Sequence, residues 1–222
     1  MPVDTMPGRF RNRREAGRLL AAKLAAYAQQ PGVVVLALPR GGVPVGYEVA
    51  RALGAPLDVF LVRKLGVPGH EELAMGAVAT GGVRVINQQI VKQLRIPPDL
   101  IDAVAAAEGW ELARRERLYR GDRPLPEVVG RTVILVDDGL ATGSSMLAAV
   151  GAIRHRRPAR VVVATPIAAR DTCELLRSEV DEVVCAVTPE PFHAVGLWYE
   201  DFSQTSDDEV RELLEVSHAA HH

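Results

Sequence analysis

The sequence is short of several residue types, and each shortage excludes a class of protein. Only 2 of the 222 residues are cysteine, Cys173 and Cys185, which is too few for a disulfide framework and gives no metal-binding pattern. We therefore expect two buried thiols in a reducing compartment. Aromatic residues make up 5% of the chain and hydrophobic residues 48%, so Val, Leu, Ala and Ile must form most of the core.

Strong net charge and long apolar runs are also missing. The formal net charge is −2, which gives no general case for binding to nucleic acid or to a membrane surface. The longest apolar runs are too short to span a bilayer, and residues 1–14 lack the apolar segment and cleavage site of a secretory signal. We expect a cytoplasmic protein without a membrane partner. No nucleic-acid partner is expected either, although the basic run at residues 114–117 leaves an RNA contact open beside its simpler interpretation as a charged helix face.

The order of the predicted elements is that of an α/β domain. Residues 33–38 are a continuous apolar run, as expected for a strand buried on both faces, and Asn12 can cap a helix over residues 13–29. Glycine, proline and charged residues predict a loop over residues 63–76. Alternating strands and helices predict a central, mostly parallel sheet. The other predicted strands are 57–62, 77–80, 83–86, 133–136, 160–166 and 182–187, and the other predicted helices are 43–53, 87–120 with a break at Pro97-Pro98, 145–155, 171–178 and 207–216.

The stretch VILVDDGLATGSS, from Val133 to Ser145, places two acids and a loop of small residues directly after a strand. In open α/β sheets, ligands bind beyond the carboxyl ends of the strands. The loop enters a helix whose first N–H groups carry partial positive charge, and its glycine and hydroxyl residues suit a phosphate. Asp137 and Asp138 would repel a phosphate, but they could accept hydrogen bonds from sugar hydroxyls or hold a hydrated metal ion. The combination predicts a site for a ribose 5-phosphate.

This stretch resembles the phosphoribosyl-pyrophosphate (PRPP) motif of type I phosphoribosyltransferases. The resemblance implies that PRPP is the donor and that Asp137 and Asp138 contact its ribose hydroxyls. It also implies one domain over residues 1–222, with a core over 33–86 and 128–187, a helical insertion over 87–127, and a hood lobe over 188–222 that includes the N-terminal helix. The residues implied to hold the 5-phosphate are Ala141, Thr142, Gly143, Ser144 and Ser145.

Two further stretches resemble the same family and follow in the family's order. ALPRGGVP, from Ala37, resembles the loop that holds pyrophosphate: Arg40 is a fork-shaped donor, and Gly41 and Gly42 permit close approach of the backbone. We expect a strained backbone near Arg40-Gly41. The stretch VRKLGVPGHEELAMG resembles the lid of adenine-type enzymes, in which an arginine and a lysine, here Arg63 and Lys64, stand at the start of a mobile lid.

The implied reaction moves ribose 5-phosphate from PRPP to an acceptor nitrogen and releases pyrophosphate. Its transition state resembles an oxocarbenium ion, by analogy with glycoside chemistry. Mg²⁺ is the implied cofactor, bound through PRPP with Asp137 and Asp138 as further candidate ligands, and Arg40 and Lys64 would stabilise charge on the leaving pyrophosphate. The resemblance therefore assigns catalytic roles to these four residues, and it also implies a homodimer.

The acceptor is less well defined than the donor. Enzymes that act on 6-oxopurines place an aspartate where this chain has Ala141, which argues against hypoxanthine or guanine. In the implied hood, Phe192, Trp198 and Tyr199 could stack on a flat base, or they could pack in a core or a dimer contact. We therefore expect a small, nitrogenous, base-like acceptor of unspecified identity.

The main rival interpretation is a protein that senses PRPP and regulates nucleic acid or a partner without transferase activity. The presence of Arg40 and Lys64 favours the enzyme. A PRPP synthase is less favoured, because the chain has no recognisable second lobe for ATP. No G-x-G-x-x-G follows a predicted strand, which argues against a dinucleotide-dependent dehydrogenase.

Overall fold

The computed structural model describes residues 8–220, except for the side chains of residues 71 and 72. Seven α-helices and eight strands follow one another in the described chain, and the predicted alternation is confirmed. The strands are β1 (Val33–Ala37), β2 (Leu57–Val59), β3 (Val62–Val67), β4 (His70–Ala79), β5 (Val83–Ile86), β6 (Thr132–Val136), β7 (Arg160–Ile167) and β8 (Glu182–Val187). The helices are α1 (Arg13–Lys23), α2 (Gly42–Leu53), α3 (Gln88–Leu94), α4 (Pro98–Arg120), α5 (Ser144–His155), α6 (Arg170–Arg177) and α7 (Asp207–Ala219).

Five strands form a parallel sheet in the order β2-β1-β6-β7-β8, with helices on both faces. Successive side chains of a strand point to opposite faces, and here both faces are buried. Val35 and Ile134 belong to one apolar cluster, while Val34 and Val133 belong to the other. This two-sided burial explains why β1 and β6 consist almost entirely of apolar residues.

Helix α1 begins at its predicted cap but ends earlier than predicted. The Asn12 side chain accepts a hydrogen bond from the N–H of Glu15. The helix ends at Lys23, and a short 3-10 turn over Ala25–Tyr27 replaces the expected last turns. Leu20 and Leu24 are buried, but Leu19 is exposed.

The loop predicted over residues 63–76 is wrong, because most of this segment is a pair of strands. β3 and β4 pair in antiparallel register from Val62↔Ala79, and β5 adds a third strand to this second, separate sheet. Turn residues occupy only the tip of the first hairpin, where Gly69 has a φ of +79°. The strands predicted over residues 77–80 and 83–86 are confirmed, and they pair as a hairpin between β4 and β5 across Gly81-Gly82.

The helical segment between the two parts of the main sheet packs beside the antiparallel sheet. Helix α4 contacts β3, β4 and α7. At its last residue, Arg120 donates from Nε to Asp58 Oδ2 at 3.1 Å and from Nη2 to the carbonyl of Val59 at 3.0 Å. These buried contacts tie the end of α4 to the edge strand β2, so the segment is fixed to the core at both sheets.

The expected pair of thiols is a disulfide in the structure. Cys173 on α6 and Cys185 on β8 are bonded to each other. Helix α6 packs on β8, so two cysteines that are 12 residues apart meet at this contact. Sequence reasoning placed one cysteine on a helix and the other on a strand, but it did not bring these two elements together. Over residues 8–220, no helix has the length and apolar character needed to cross a membrane.

Candidate functional site

The loops after β1 and β6 meet because these strands are neighbours in a parallel sheet. Ala37 is paired with Val136, so both chains leave the sheet at the same edge. A Cβ on Gly42 would lie 2.7 Å from the carbonyl oxygen of Val136, and a Cβ on Gly41 would lie 2.0 Å from Asp138 Oδ2. Any larger residue would therefore push the two loops apart, which gives the glycine pair a role in close approach.

The peptide bond between Pro39 and Arg40 is cis. This cis bond directly precedes the Arg40-Gly41 pair, near which the strained backbone stays a prediction. Arg40 points toward the start of α7, where its Nη1 lies 3.7 Å from Asp207 Oδ1.

Asp137 lies between two clefts at this edge of the sheet. One cleft, of about 150 Å³, is formed with the loop from Gly139 to Met146. The other, of about 140 Å³, includes Pro39, Arg63, Arg115 and Ser145 in its lining. Burial raises the pKa of Asp137 well above its usual value, and the neighbouring Asp138 carboxylate raises it further. Its Oδ1 accepts a hydrogen bond from the N–H of Asp138 at 2.9 Å.

Asp138 is held by elements far away in sequence. Arg13 Nε donates to Asp138 Oδ2 at 2.6 Å, and the two side chains are only 11% and 15% exposed. The Tyr199 hydroxyl donates to the carbonyl of Asp138 at 2.6 Å. Burial raises the pKa of Asp138, and Arg13 opposes that rise. The two acids of the motif therefore differ, since Asp137 faces the clefts while Asp138 joins the loop to α1 and to the C-terminal segment.

The loop from Ala141 to Ser145 leads directly into helix α5, and its assignment to a phosphate stays a prediction. Helix α5 begins at Ser144, after Gly143 with a φ of +69°. Thr172, at the start of α6, donates a hydrogen bond to the carbonyl of Ala141 and so supports the loop from behind. Among the predicted residues, Lys64 arrives from β3, and its Nζ donates to Ser144 Oγ at 2.9 Å. The structure therefore brings together the second and third sequence stretches and the motif.

The predicted neighbour of Lys64 takes another direction. Arg63 forms a 2.7 Å ion pair through Nε with Glu108 on α4. It still lines the 140 Å³ cleft. The side chains of Arg63 and Lys64 alternate along β3, so they point to opposite faces of the hairpin.

The aromatic residues of the C-terminal segment form a small cluster around α1. Tyr199 is 3% exposed, packs against Phe10 and Phe202, and so does not present a face to a base. Of the two roles that the sequence leaves open for Tyr199, base stacking and packing, this burial supports packing. Phe192 and Trp198 are half-buried against the same cluster, and their role in acceptor binding stays a prediction.

Sequence reasoning missed two arginines at the site. Arg13 lies on α1, the N-terminal helix that the predicted hood includes without naming any of its residues. Arg115 lies in the helical segment over 87–127, for which the sequence predicts no function. Helical periodicity of α4 would have placed Arg115 on a face with Glu108, but no motif pointed to that face. In the described part of the chain, no three His, Cys, Asp or Glu residues come together as a metal cluster.

The chain matches the family model of the phosphoribosyl transferase domain over residues 11–199. It is 46% identical over 209 residues to a protein of Mycobacterium tuberculosis that carries the name of a phosphoribosyl transferase, covering 94% of this chain and 47% of that protein. The chain thus spans about half the length of the curated relatives it matches first. It is also 33% identical over 132 residues to the bifunctional protein PyrR of Chloroflexus aurantiacus, covering 58% of this chain and 66% of that one.

Among solved structures, the protein TT1426 of Thermus thermophilus has the same fold. The two superpose with a TM-score of 0.83 at 45% identity, covering 93% of this chain and 97% of the other. The match to the phosphoribosyl transferase family model and the five-stranded parallel sheet confirm the expected type I phosphoribosyltransferase fold. With a family match that covers most of its length and with the two loops and two acids in place, the chain belongs to the phosphoribosyl transferase domain family.

Proposed function

We propose that this protein is a Mg²⁺-dependent phosphoribosyltransferase that moves ribose 5-phosphate from PRPP to a nitrogenous, base-like acceptor and releases pyrophosphate. The observation that carries the proposal is the position of Asp137 between the two clefts. A ribose bound there would place its 5-phosphate in the cleft of the Ala141–Ser145 loop. Its diphosphate would then extend into the cleft that Pro39 and Arg63 line.

Each end of such a donor meets groups of suitable chemistry. N–H groups at the start of α5 and the hydroxyls of Thr142, Ser144 and Ser145 would bind the phosphate. Asp137 would accept hydrogen bonds from the ribose hydroxyls. As the bond from ribose C1 to the diphosphate breaks, negative charge builds on the leaving group, where Arg40 and Lys64 would stabilise it.

Mg²⁺ fits this donor set as an ion shared between protein and substrate. It is commonly bound by one or two carboxylates together with substrate phosphates. Asp137 offers such a carboxylate at the cleft, and the described residues contain no cluster that would form an all-protein site. When bound, Mg²⁺ supplies positive charge to the leaving diphosphate.

The acceptor belongs on the side of the C-terminal segment, where Phe192 and Trp198 are the aromatic candidates. Ala141 offers no carboxylate to a 6-oxopurine, so we propose an acceptor of another kind.

A PRPP-sensing protein without transferase activity is the second candidate. It is favoured by an exposed surface on α4 that a nucleic acid or a partner could contact. There Trp110 is 80% exposed beside Arg114 and Arg117.

Calorimetric titration of PRPP, with and without Mg²⁺, tests the donor site. We expect binding that requires Mg²⁺ and that Asp137→Asn weakens by about tenfold to a hundredfold, as for the loss of a charged hydrogen-bond acceptor. Asp122→Asn is the matched control, because Asp122 is exposed and lines neither cleft. An acceptor screen that monitors pyrophosphate release then separates the enzyme from the sensor. Wild-type protein that is folded and does not bind PRPP would contradict both candidates.

A further inference from the structure

Two adjacent arginines on α4 share one partner but face different surroundings. Arg114 Nε lies 2.8 Å from Glu111 Oε2, and Arg115 Nε lies 2.7 Å from Glu111 Oε1. Arg114 is 63% exposed and lines an outer groove with Trp110. Arg115 is 38% exposed and lines the 140 Å³ cleft with Pro39 and Asp137.

Arg115 belongs to a face of α4 that runs along the donor site. Residues 7 and 11 positions after Glu108 return to nearly the same side of a helix, and these are Arg115 and Tyr119. Glu108 binds Arg63. The Tyr119 hydroxyl donates to Asp207 Oδ1 at 2.6 Å, and that carboxylate also lies near Arg40. One side of this helix therefore extends from Arg63 to the surroundings of Arg40.

The arginine at the middle of this face has donors left for a ligand. Its contact with Glu111 uses Nε, and its terminal nitrogens form no hydrogen bond within residues 8–220. A guanidinium group is a planar fork that matches phosphate oxygens well. In the cleft, Arg115 accompanies Arg63 and Ser145, whose side chains carry hydrogen-bond donors, while most of the other lining residues besides Asp137 are apolar.

We propose that Arg115 is a further donor-binding residue that contacts the diphosphate leaving group, so that helix α4 completes this side of the site. The inference rests on the proposed function, since it assigns one end of the same donor. It also gives the helical segment between the two parts of the main sheet a role in ligand binding.

The test compares Arg115→Gln with Arg114→Gln, which removes the neighbouring charge from the outer groove. Calorimetry with Mg²⁺ present would measure the affinities for pyrophosphate, PRPP and ribose 5-phosphate. We expect Arg115→Gln to weaken binding of pyrophosphate and PRPP by about tenfold to a hundredfold, with ribose 5-phosphate changed less than about twofold. Arg114→Gln should leave all three affinities within about twofold. Arg115→Lys should recover part of the loss, because it restores the charge without the fork.

The outcomes separate this inference from the function on which it rests. If wild type binds PRPP and a folded Arg115→Gln variant binds pyrophosphate as tightly as wild type does, the Arg115 contact is wrong and the proposed function stands. Equal loss of all three ligands would also overturn it, since that result means a general structural effect. Wild-type binding of pyrophosphate but not of PRPP would contradict the proposed function, and the two arginine variants would still decide whether Arg115 binds pyrophosphate.

Discussion

The two halves of the candidate donor site are built in different ways. The ribose-phosphate half comes almost entirely from 13 consecutive residues, Val133 to Ser145, and Lys64 on β3 reaches it through Ser144. The leaving-group half is assembled from the loop after β1, from β3, from α4 and from the start of α7. One half is therefore local in sequence, and the other exists only after the tertiary structure has formed.

The halves also differ in how firmly their groups are held. The first half continues the buried strand β6 and is supported by Thr172 on α6. In the second half, Arg63 and Arg40 are part-exposed and are paired with the carboxylates of Glu108 and Asp207. Part-exposed ion pairs contribute only about 0–1 kcal/mol, so a diphosphate could displace these carboxylates at little cost. We therefore expect a preformed ribose-phosphate site beside a leaving-group site whose carboxylates are exchanged for the ligand.

The largest expected effect on ligand binding comes from separating the two halves at their contact. In Gly42→Ala, the new Cβ would meet the carbonyl oxygen of Val136 and, at 3.0 Å, the Cα of Asp137, so backbone must move. We expect the free energy of unfolding to fall by about 1–3 kcal/mol and the affinity for PRPP to fall by about a hundredfold. Urea denaturation and calorimetry measure these two changes.

A glycine in an open position supplies the control for this change. In Gly151→Ala, within α5, the new Cβ would have its nearest neighbour at 3.8 Å, which is ordinary contact. We expect unchanged PRPP affinity and a rise of about 0.5–1 kcal/mol in the free energy of unfolding, because alanine is a better helix former than glycine. PRPP affinity that stays at the wild-type level in Gly42→Ala would show that the two halves do not depend on this close approach.

The same division explains which parts the sequence could predict. The arrangement of the segment from β6 to α5 was predictable because a strand, two acids and a glycine-containing helix start follow one another without interruption. Arg13 was not, since 125 residues separate it from Asp138 and no local pattern marks the pair. For the same reason, the disulfide between α6 and β8 and the position of Arg115 depend on packing that the sequence order does not specify.

The prediction of a loop over residues 63–76 failed for a different reason. The prediction extends a loop over the whole segment because of Gly66, Pro68 and Gly69, although turn residues need to occupy only the tip of a hairpin. Leu65 and Val67 on one side and Met75 on the other are buried and anchor the two strands. This period-two burial is visible in the sequence, but the glycines and charged residues obscured it.

The largest effect on stability is expected where the ribose-phosphate half is tied to α1. Arg13→Met leaves the buried Asp138 carboxylate without its 2.6 Å partner, and it removes a hydrogen bond to the carbonyl of Ser203. We expect the free energy of unfolding to fall by about 2–4 kcal/mol at neutral pH, which is close to the cost of breaking a buried ion pair. Arg14→Met is the control, because the neighbouring Arg14 is far more exposed and its ion pair with Glu48 is 3.9 Å long.

The pH dependence of that loss has a defined sign. Without Arg13, the pKa of Asp138 rises further, because burial then acts unopposed. The free energy of unfolding of Arg13→Met should therefore approach that of wild type as the pH falls, because Asp138 becomes protonated in both proteins. Urea denaturation across the acidic range measures it, and a deficit that stays constant with pH would show that packing of Arg13 rather than its charge is responsible.

The smallest effect on stability is expected at Asp137, and its sign is opposite to that at Arg13. Burial and the Asp138 carboxylate hold the pKa of Asp137 well above its usual value, so the folded protein binds a proton there that the unfolded chain releases. This group therefore lowers stability as the pH rises from the unfolded pKa through the folded one.

Asp137→Asn removes the charge and keeps an oxygen that can accept from the N–H of Asp138. We expect Tm at neutral pH, without divalent cations, to rise by about 2 °C or more, and the difference to vanish below the ordinary aspartate pKa of about 3.9. Thermal melting of both proteins from pH 3 to pH 8 measures this. A gain in Tm together with lost PRPP binding would mean that the fold tolerates this carboxylate only because the ligand needs it, whereas a lower Tm at neutral pH would mean that the charge of Asp137 is already compensated in the free protein.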